Sequence, residues 1–360
     1  MHKATYLEGT LHLSISPDGP MLIKAGESGG ADPTLPDMEF VRSRHQGEPQ
    51  VYLPGPSLKG VVRAHCERIC RTLDGPGRYD QVLPHARELG DTFVPPLADN
   101  PLIKKEQYQA YKRGGDDLAY SSGIYFNSEA FKAEFDPKGD DEAARQKRRE
   151  RSAAIYRRSA FTAQLFGSTA LAGRVRFADA YPTGAMVIEE RNGVAIDRVY
   201  GSVAVGPFNY ETVVAGTFAT SIAFRNLTLA QLGLLGLALR DLAAGRVAIG
   251  FGKSRGLGRV TLDMTSLTLR YPACTLVGNT LKLIGRDLAL GDRQLAGLGA
   301  LCTDKNYGLP EHDSADLPAD LHYAEDEERG MGVVLEAKGA TQVRALFAKC
   351  MDAWKTQVGL

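Results

Sequence analysis

Apolar and polar residues alternate along positions 4–15 (ATYLEGTLHLSI), with Leu7, Leu11 and Leu13 in the apolar set, a period that predicts a half-buried strand. Residues 17–50 are rich in Gly, Pro, Asp and Ser and read as loop. In VYLPGPSLKGVVRAHCERICRTL, Pro54, Gly55 and Pro56 end an extended piece and Ser57 is placed to cap a helix. Leu58, Val61, Val62, Ile69 and Leu73 keep to one side of that helix, which runs to about Leu73. Residues 74–160 contain Pro84, Pro95, Pro96 and Pro101 and read as one long insertion, since no clean linker flanks them. RVRFADAY (174–181) alternates as a strand, 184–215 is turn-rich and reads as a second insertion, and GTFATSIAFRN (216–226) is a strand again. Leu229, Leu232, Leu235, Leu239 and Leu242 have helical spacing up to Gly245, and GRVTLDMTSLTLRYP (258–272) is a strand closed by its proline. No internal repeat is visible.

The skeleton is strand, helix, one or two strands, helix, strand. It predicts an α+β fold with the split β-α-β order of ferredoxin-like domains. The expected organisation is a palm from 1–73 and 161–272, an insertion at 74–160, a smaller one at 184–215, and a C-terminal extension at 273–360. Composition agrees with a globular chain: of 360 residues, 43% are hydrophobic and 24% charged. The 43 basic and 43 acidic residues cancel, but locally they do not. Residues 145–158 hold seven basic residues and one acid, 303–329 hold nine acids against Lys305 and Arg329, and 245–259 hold Arg246, Lys253, Arg255 and Arg259 with no acid. A polyanion partner is therefore open, because electrostatic footprints are local. The acidic stretch reads as solvated loop. Five cysteines form no even framework and point to a reducing compartment. No leader-like N-terminus and no run near 18 apolar residues is found, so a soluble, cytoplasmic protein is expected, with no membrane partner.

GFGKSRGLGRV (250–260) is the richest stretch. A Walker A loop needs glycine where Val247 stands, and a dinucleotide fingerprint needs one where Arg255 stands, so neither applies. What is left is a loop with exposed backbone N–H groups and interspersed cations, suited to hold a phosphate chain. PGPSLKGVVR sets Ser57, Lys59 and Arg63 around a helix N-terminus, a second anion-binding arrangement. His65, Cys66 and Cys70 are the candidate zinc ligands, with the two cysteines four apart on one face. Buried apolar cysteines fit better, since no CxxC pair exists and Cys274, Cys302 and Cys350 are isolated.

PGPSLKGVVR, AQLFGSTALAGRVRFADAY (163–181), AIDRVYGSVAVGPFNYETVVAGTF (195–218) and GFGKSRGLGRV follow in the order found in RAMP-superfamily proteins. The chain resembles the backbone subunits of type III CRISPR effectors, III-D-like ones in particular, over about residues 5–272. The resemblance implies an RNA-recognition-type palm holding crRNA in a filament of like subunits, alongside other CRISPR effector subunits. It implies a thumb at 184–215 that wedges into the guide–target duplex, with Phe208 and Tyr210 as the wedge. Ser57, Lys59 and Arg63 would grip the guide backbone, and Gly252, Lys253, Ser254 and Arg255 would touch neighbouring phosphates, with Arg198 a further RNA contact.

In active members an aspartate in the loop after the first strand cuts target RNA. Here Asp37 matches that position best and Asp32 is the runner-up. The resemblance thus implies a metal-dependent endoribonuclease. The carboxylate would hold Mg²⁺ or help deprotonate the RNA 2′-OH, leaving a 2′,3′-cyclic phosphate and a 5′-OH. Relatives often bind zinc through cysteines just before the LFGS element, but SAFTAQLFGS has none, so zinc is not expected. Two alternatives stand beside this reading. One is a non-catalytic scaffold that presents RNA to a separate nuclease subunit, as in type VII systems. The other is a crRNA-processing endonuclease, which would want an acid–base pair where only His45 is offered.

Overall fold

The computed structural model describes residues 1–26, 36–100, 102–103, 120–286 and 288–360. β1 (Glu8–Pro17) keeps the expected alternation: Leu11, Leu13 and Ile15 are buried, while Thr10, His12 and Ser14 face the other way. A small hairpin of β2 (Arg42–His45) and β3 (Glu48–Val51) leads into α1 (Gly55–Leu73). The 74–160 insertion is mostly helical where described: α2 (Pro76–Glu88), α3 (Ser122–Tyr125), α4 (Glu129–Phe135) and α5 (Glu142–Arg157). After α6 (Phe161–Phe166) come β4 (Val175–Phe177) and β5 (Tyr181–Pro182). Residues expected to be turn-rich form a long hairpin instead, β6 (Val187–Ile196) and β7 (Val203–Ala215). Its glycines read as turns, yet Gly193 sits opposite Phe208, where any Cβ would lie 2.7 Å from the ring; the missing side chain makes room for the aromatic. β8 (Phe218–Arg225), α7 (Leu229–Ala243) and β9 (Val260–Tyr271) complete the skeleton.

The fold is mixed α+β around a large antiparallel sheet. Its strands run β9-β1-β8-β4, with β5 also on β8. Leu11 of β1 stands between Ile222 and Leu267, so the apolar faces of three strands align. α1 packs through Leu58, Val62, Cys66 and Cys70, four residues apart, which is one helical stripe. α7 starts at a Thr228/Gln231 capping box and buries Leu229, Leu232, Leu234, Leu235, Leu239 and Leu242. Each such leucine contributes about 1.5–3 kcal/mol relative to exposure.

The C-terminal residues continue the sheet. Strand Val333–Lys338 pairs with β9 and strand Tyr323–Glu325 pairs with it in turn, while helices Gly339–Lys349 and Met351–Gln357 pack on α7. The acidic stretch is accordingly not all solvated loop. Asp313 and Asp326 are buried, and the Asp313 carboxylate accepts the N–H groups of Leu229 (2.9 Å) and Gly299 (2.8 Å), closing the start of α7. Among the described residues no helix is long and apolar enough to cross a membrane.

Candidate nucleic-acid interface

At the end of the sheet where β1 finishes, five chain segments are laced together by backbone hydrogen bonds. Phe251 N–H donates to Leu22, Gly258 N–H to Pro20, Val41 N–H to Ile23 and Tyr52 N–H to Val41, while Leu53 and Ala180 exchange bonds. The glycine-rich loop, the segment after β1, the residues around Asp37 and the approach to α1 thus share one face.

Within the loop, Ile249 N–H donates to Gly258 across its neck, and Lys253–Arg255 form a single 3₁₀ turn between two left-handed glycines, Gly252 and Gly256. Two other glycines are required by close approach. A Cβ on Gly250 would lie 2.2 Å from the Leu22 carbonyl oxygen and one on Gly258 2.0 Å from that of Ile249, both at positive φ. Leu257 is buried beneath, which leaves Lys253, Ser254 and Arg255 exposed. Arg259 pairs with Asp18 (2.8 Å) and Arg246 with Asp241 (2.7 Å), whereas Lys253 and Arg255 have no carboxylate partner among the described residues. The Arg255 guanidinium lies over two rings, Phe251 at 5.0 Å and Phe208 of β7 at 6.0 Å.

Asp37 is exposed and is held midway along the β6–β7 hairpin. Its Oδ2 accepts the Asn209 N–H (2.9 Å), and Met38 bridges Tyr210 in parallel. The next turn of chain is clamped by Glu211, whose carboxylate accepts the Phe40 N–H (2.8 Å) and a two-point contact from Arg42. Burial opposes ionisation of Glu211, but the Arg42 and Phe40 donors outweigh it and hold the carboxyl below its usual range. Phe208 and Tyr210 flank Asn209, with ring centroids 6.3 Å apart. Asp37, Phe208, Tyr210 and Arg255, drawn from three distant segments, therefore meet at one place. Asp32 lies outside the described residues. Arg198 is exposed at the hairpin's far turn, about 20 Å along the strand from Asn192, the partner of Asn209, and is not brought to this face.

The α1 N-terminus departs from the sequence expectation. Pro54 occupies the cap position, Ser57 lies inside the first turn and caps nothing, and the Gly55 N–H is taken by Asp179 Oδ1 at 2.7 Å. Asp179, in the FADAY piece, preempts that role. Lys59 is half-buried beside Gly173 with no carboxylate partner among the described residues; burial and then the Arg63 charge lower its pKa. Arg63 is engaged with Glu67 (2.8 Å) and with the Gly167 carbonyl (3.0 Å), so it also ties α1 to the LFGS turn. Next to the cap, His45 stacks on Tyr181 at 3.8 Å and Tyr52 lies parallel to Tyr181 at 5.7 Å. The Arg42–Glu211 clamp, Phe251 and this ring column gave no local sequence signal.

The basic run of 145–158 is not a free polycation. It folds as α5, and every basic side chain has an acid: Arg145 and Arg148 on Asp140, Lys147 on Glu150, Arg149 on Glu142, Arg151 on Asp136, Arg157 and Arg158 on Asp91. The zinc candidates do not converge either. Cys66 and Cys70 are core residues whose thiols burial pushes up, and His65 Nε2 is bound to Asp241 at 2.9 Å. Among the described residues no group of three or more His, Cys, Asp or Glu could hold a metal. Asp37 could supply one carboxylate to a hydrated Mg²⁺ that takes its remaining ligands from phosphate, since its Oδ1 has no hydrogen bond among the described residues.

No curated protein matches the chain. The model of the RAMP superfamily matches residues 15–261, well over half of the sequence and the part that carries the end of β1, the hairpin, the glycine-rich loop and the start of β9, and the chain belongs to that superfamily.

Proposed function

We propose that this protein is a crRNA-binding backbone subunit of a type III, III-D-like CRISPR ribonucleoprotein that cuts guide-paired target RNA. RAMP proteins bind crRNA within CRISPR complexes. A ferredoxin-like palm is supported by the β9-β1-β8-β4 order, all antiparallel, with α1 and α7 as the two crossovers. The carrying observation is the meeting of Asp37 with Phe208, Tyr210 and Arg255 midway along the hairpin.

In this reading Lys253, Ser254 and Arg255 follow the guide phosphates, and the loop's backbone N–H groups complete the contact. Lys59 and the α1 N-terminus hold a second stretch, with the His45–Tyr181–Tyr52 column beside it for an unstacked base. Phe208 and Tyr210 part the duplex and leave one nucleotide unstacked. Asp37 then sits where the displaced 2′-OH can lose its proton, which readies that oxygen to attack the adjacent phosphorus, breaking the P–O5′ bond to leave a 2′,3′-cyclic phosphate and a 5′-oxygen that takes its proton from solvent. Magnesium, when bound, neutralises phosphate charge there. The outer half of the hairpin exposes Val194, Ile196, Val199, Tyr200, Val203 and Val205, an apolar surface suited to the next copy in a filament.

One observation favours the scaffold alternative, in which a separate nuclease cuts: Asp37 has no second acid or base hydrogen-bonded to it among the described residues. The test is the complex loaded with guide RNA, given labelled complementary RNA and Mg²⁺, with wild type and Asp37→Ala compared. Regularly spaced cuts lost in the variant support the slicing subunit. Tight binding with no cuts in either establishes the scaffold and removes Asp37 from catalysis.

A further inference from the structure

The sheet has a second face, opposite α1 and α7, and its end remote from the glycine-rich loop is hollow. The register explains why. One row across the strands reads Arg176, Ala223, Thr10, Thr268, and the next reads Arg225, Glu8, Arg270. Small side chains in the middle of the first row leave a trough, and the arginines stand around it, enclosing a cavity of about 530 Å³. Thr10 to Pro17 spans seven residues, so the trough lies roughly 20–25 Å along the strands from the loop end.

The charges around this cavity are not balanced. Arg270 is paired with Glu328, and Glu8, directly across from Arg225, has turned to Arg329 at 2.9 Å. Arg176 and Arg225 are exposed and have no hydrogen-bond or ion-pair partner for their side chains among the described residues. They are diagonal neighbours on adjacent strands, about 7–8 Å apart at the backbone, an arrangement in which like charges repel. Behind them Arg174 is 7% exposed, bound to the Asn226 carbonyl and the Met1 sulfur and stacked 4.3 Å from the Tyr156 ring, again with no carboxylate. A buried guanidinium without a counter-ion is costly, and two more beside it raise the positive potential. A dianionic group bridging Arg176 and Arg225 would relieve all three.

We infer that this trough binds the phosphate of a nucleotide, either a free mononucleotide or the phosphorylated end of an RNA. The cavity is in the size range of small-ligand pockets, and paired guanidiniums match phosphate oxygens in geometry as well as charge. The site does not depend on the proposed slicing activity, because none of its residues belongs to the Asp37 face.

The test uses the full chain and four probes in titration calorimetry: inorganic phosphate, adenosine 5′-monophosphate, and a short RNA with either a 5′-phosphate or a 5′-hydroxyl. Saturable binding of the monophosphate assigns the site to free nucleotides. A preference of about tenfold or more for the 5′-phosphorylated RNA, with no monophosphate binding, assigns it to an RNA end. In either case Arg176→Ala/Arg225→Ala should lose about tenfold or more in affinity, while Arg149→Ala, which removes an α5 arginine already paired with Glu142, keeps it. Both arginines are exposed and unpartnered, so the double variant should keep the wild-type melting transition. No saturable binding of any probe, or equal binding by wild type and the double variant, overturns the inference.

Discussion

The glycine-rich loop offers a sharp test, because two of its glycines are held for different reasons. At Gly258 an added Cβ meets the Ile249 carbonyl oxygen at 2.0 Å, at φ +89°. At Gly256 the φ is similar, +81°, but nothing lies within 4 Å. An L-residue in the left-handed region costs about 1–2 kcal/mol, and that is all Gly256→Ala should lose. Gly258→Ala must also push apart the neck of the loop, where Ile249 N–H donates to Gly258 (2.8 Å) and Gly258 N–H to Pro20 (2.9 Å). Losing those two bonds adds about 0.5–1.5 kcal/mol each, so the total is about 2–5 kcal/mol. Urea unfolding of both variants at one pH measures the difference, with the slope of each transition as a check that only stability has changed. RNA affinity should fall more in Gly258→Ala, because the neck aims Lys253 and Arg255. Equal destabilisation by the two substitutions would refute the close-approach argument.

Three further outcomes follow from the structure. Burial pushes Asp313 up to about 6. A carboxyl that binds its proton more tightly when folded stabilises most below about pH 4 and loses that contribution as pH rises through 6. Asp313→Asn should therefore flatten the fall in urea midpoint between about pH 4 and 6, and an unchanged pH dependence would show that Asp313 does not titrate there. Arg158 joins buried Asp91 to exposed Glu134, so Arg158→Ala, which removes one side of the buried pair, should cost about 3–5 kcal/mol and open 120–160 to limited proteolysis; wild-type protease resistance would count against the network. Glu211→Gln weakens the clamp on Asp37 without touching it, and should lower target-RNA cutting several-fold with guide affinity kept; unchanged cutting would mean that the Asp37 loop needs no clamp.

The skeleton was legible because its signals are local. The alternation of β1, the one-sided stripe of α1 and the leucine spacing of α7 each lie within a dozen or so residues of sequence. What escaped the sequence is long-range. Asp37 meets Asn209 across 172 positions, and Asp179 reaches the α1 N-terminus across 124, so Ser57 looked like the cap although the site was already filled. The basic run read as a polyanion footprint because its neutralising acids, Asp91, Asp136 and Asp140, lie outside it in sequence. The hairpin was hidden because its glycines read as turns, although Gly193 lies within a strand and seats Phe208 on the facing one.

RNA on the glycine-rich face is tested most directly by one comparison. Labelled single-stranded RNA is titrated with wild type, Lys253→Ala/Arg255→Ala and Arg145→Ala/Arg149→Ala, at salt from about 50 to 200 mM. Each lost phosphate contact should reduce the log–log salt slope by about 0.7, so the loop variant should bind more weakly with a slope shallower by about 1.4. The α5 variant should match wild type, since those arginines are already paired with acids. An unchanged slope in the loop variant, or an equal drop in the α5 variant, would contradict the placement of RNA on the glycine-rich face.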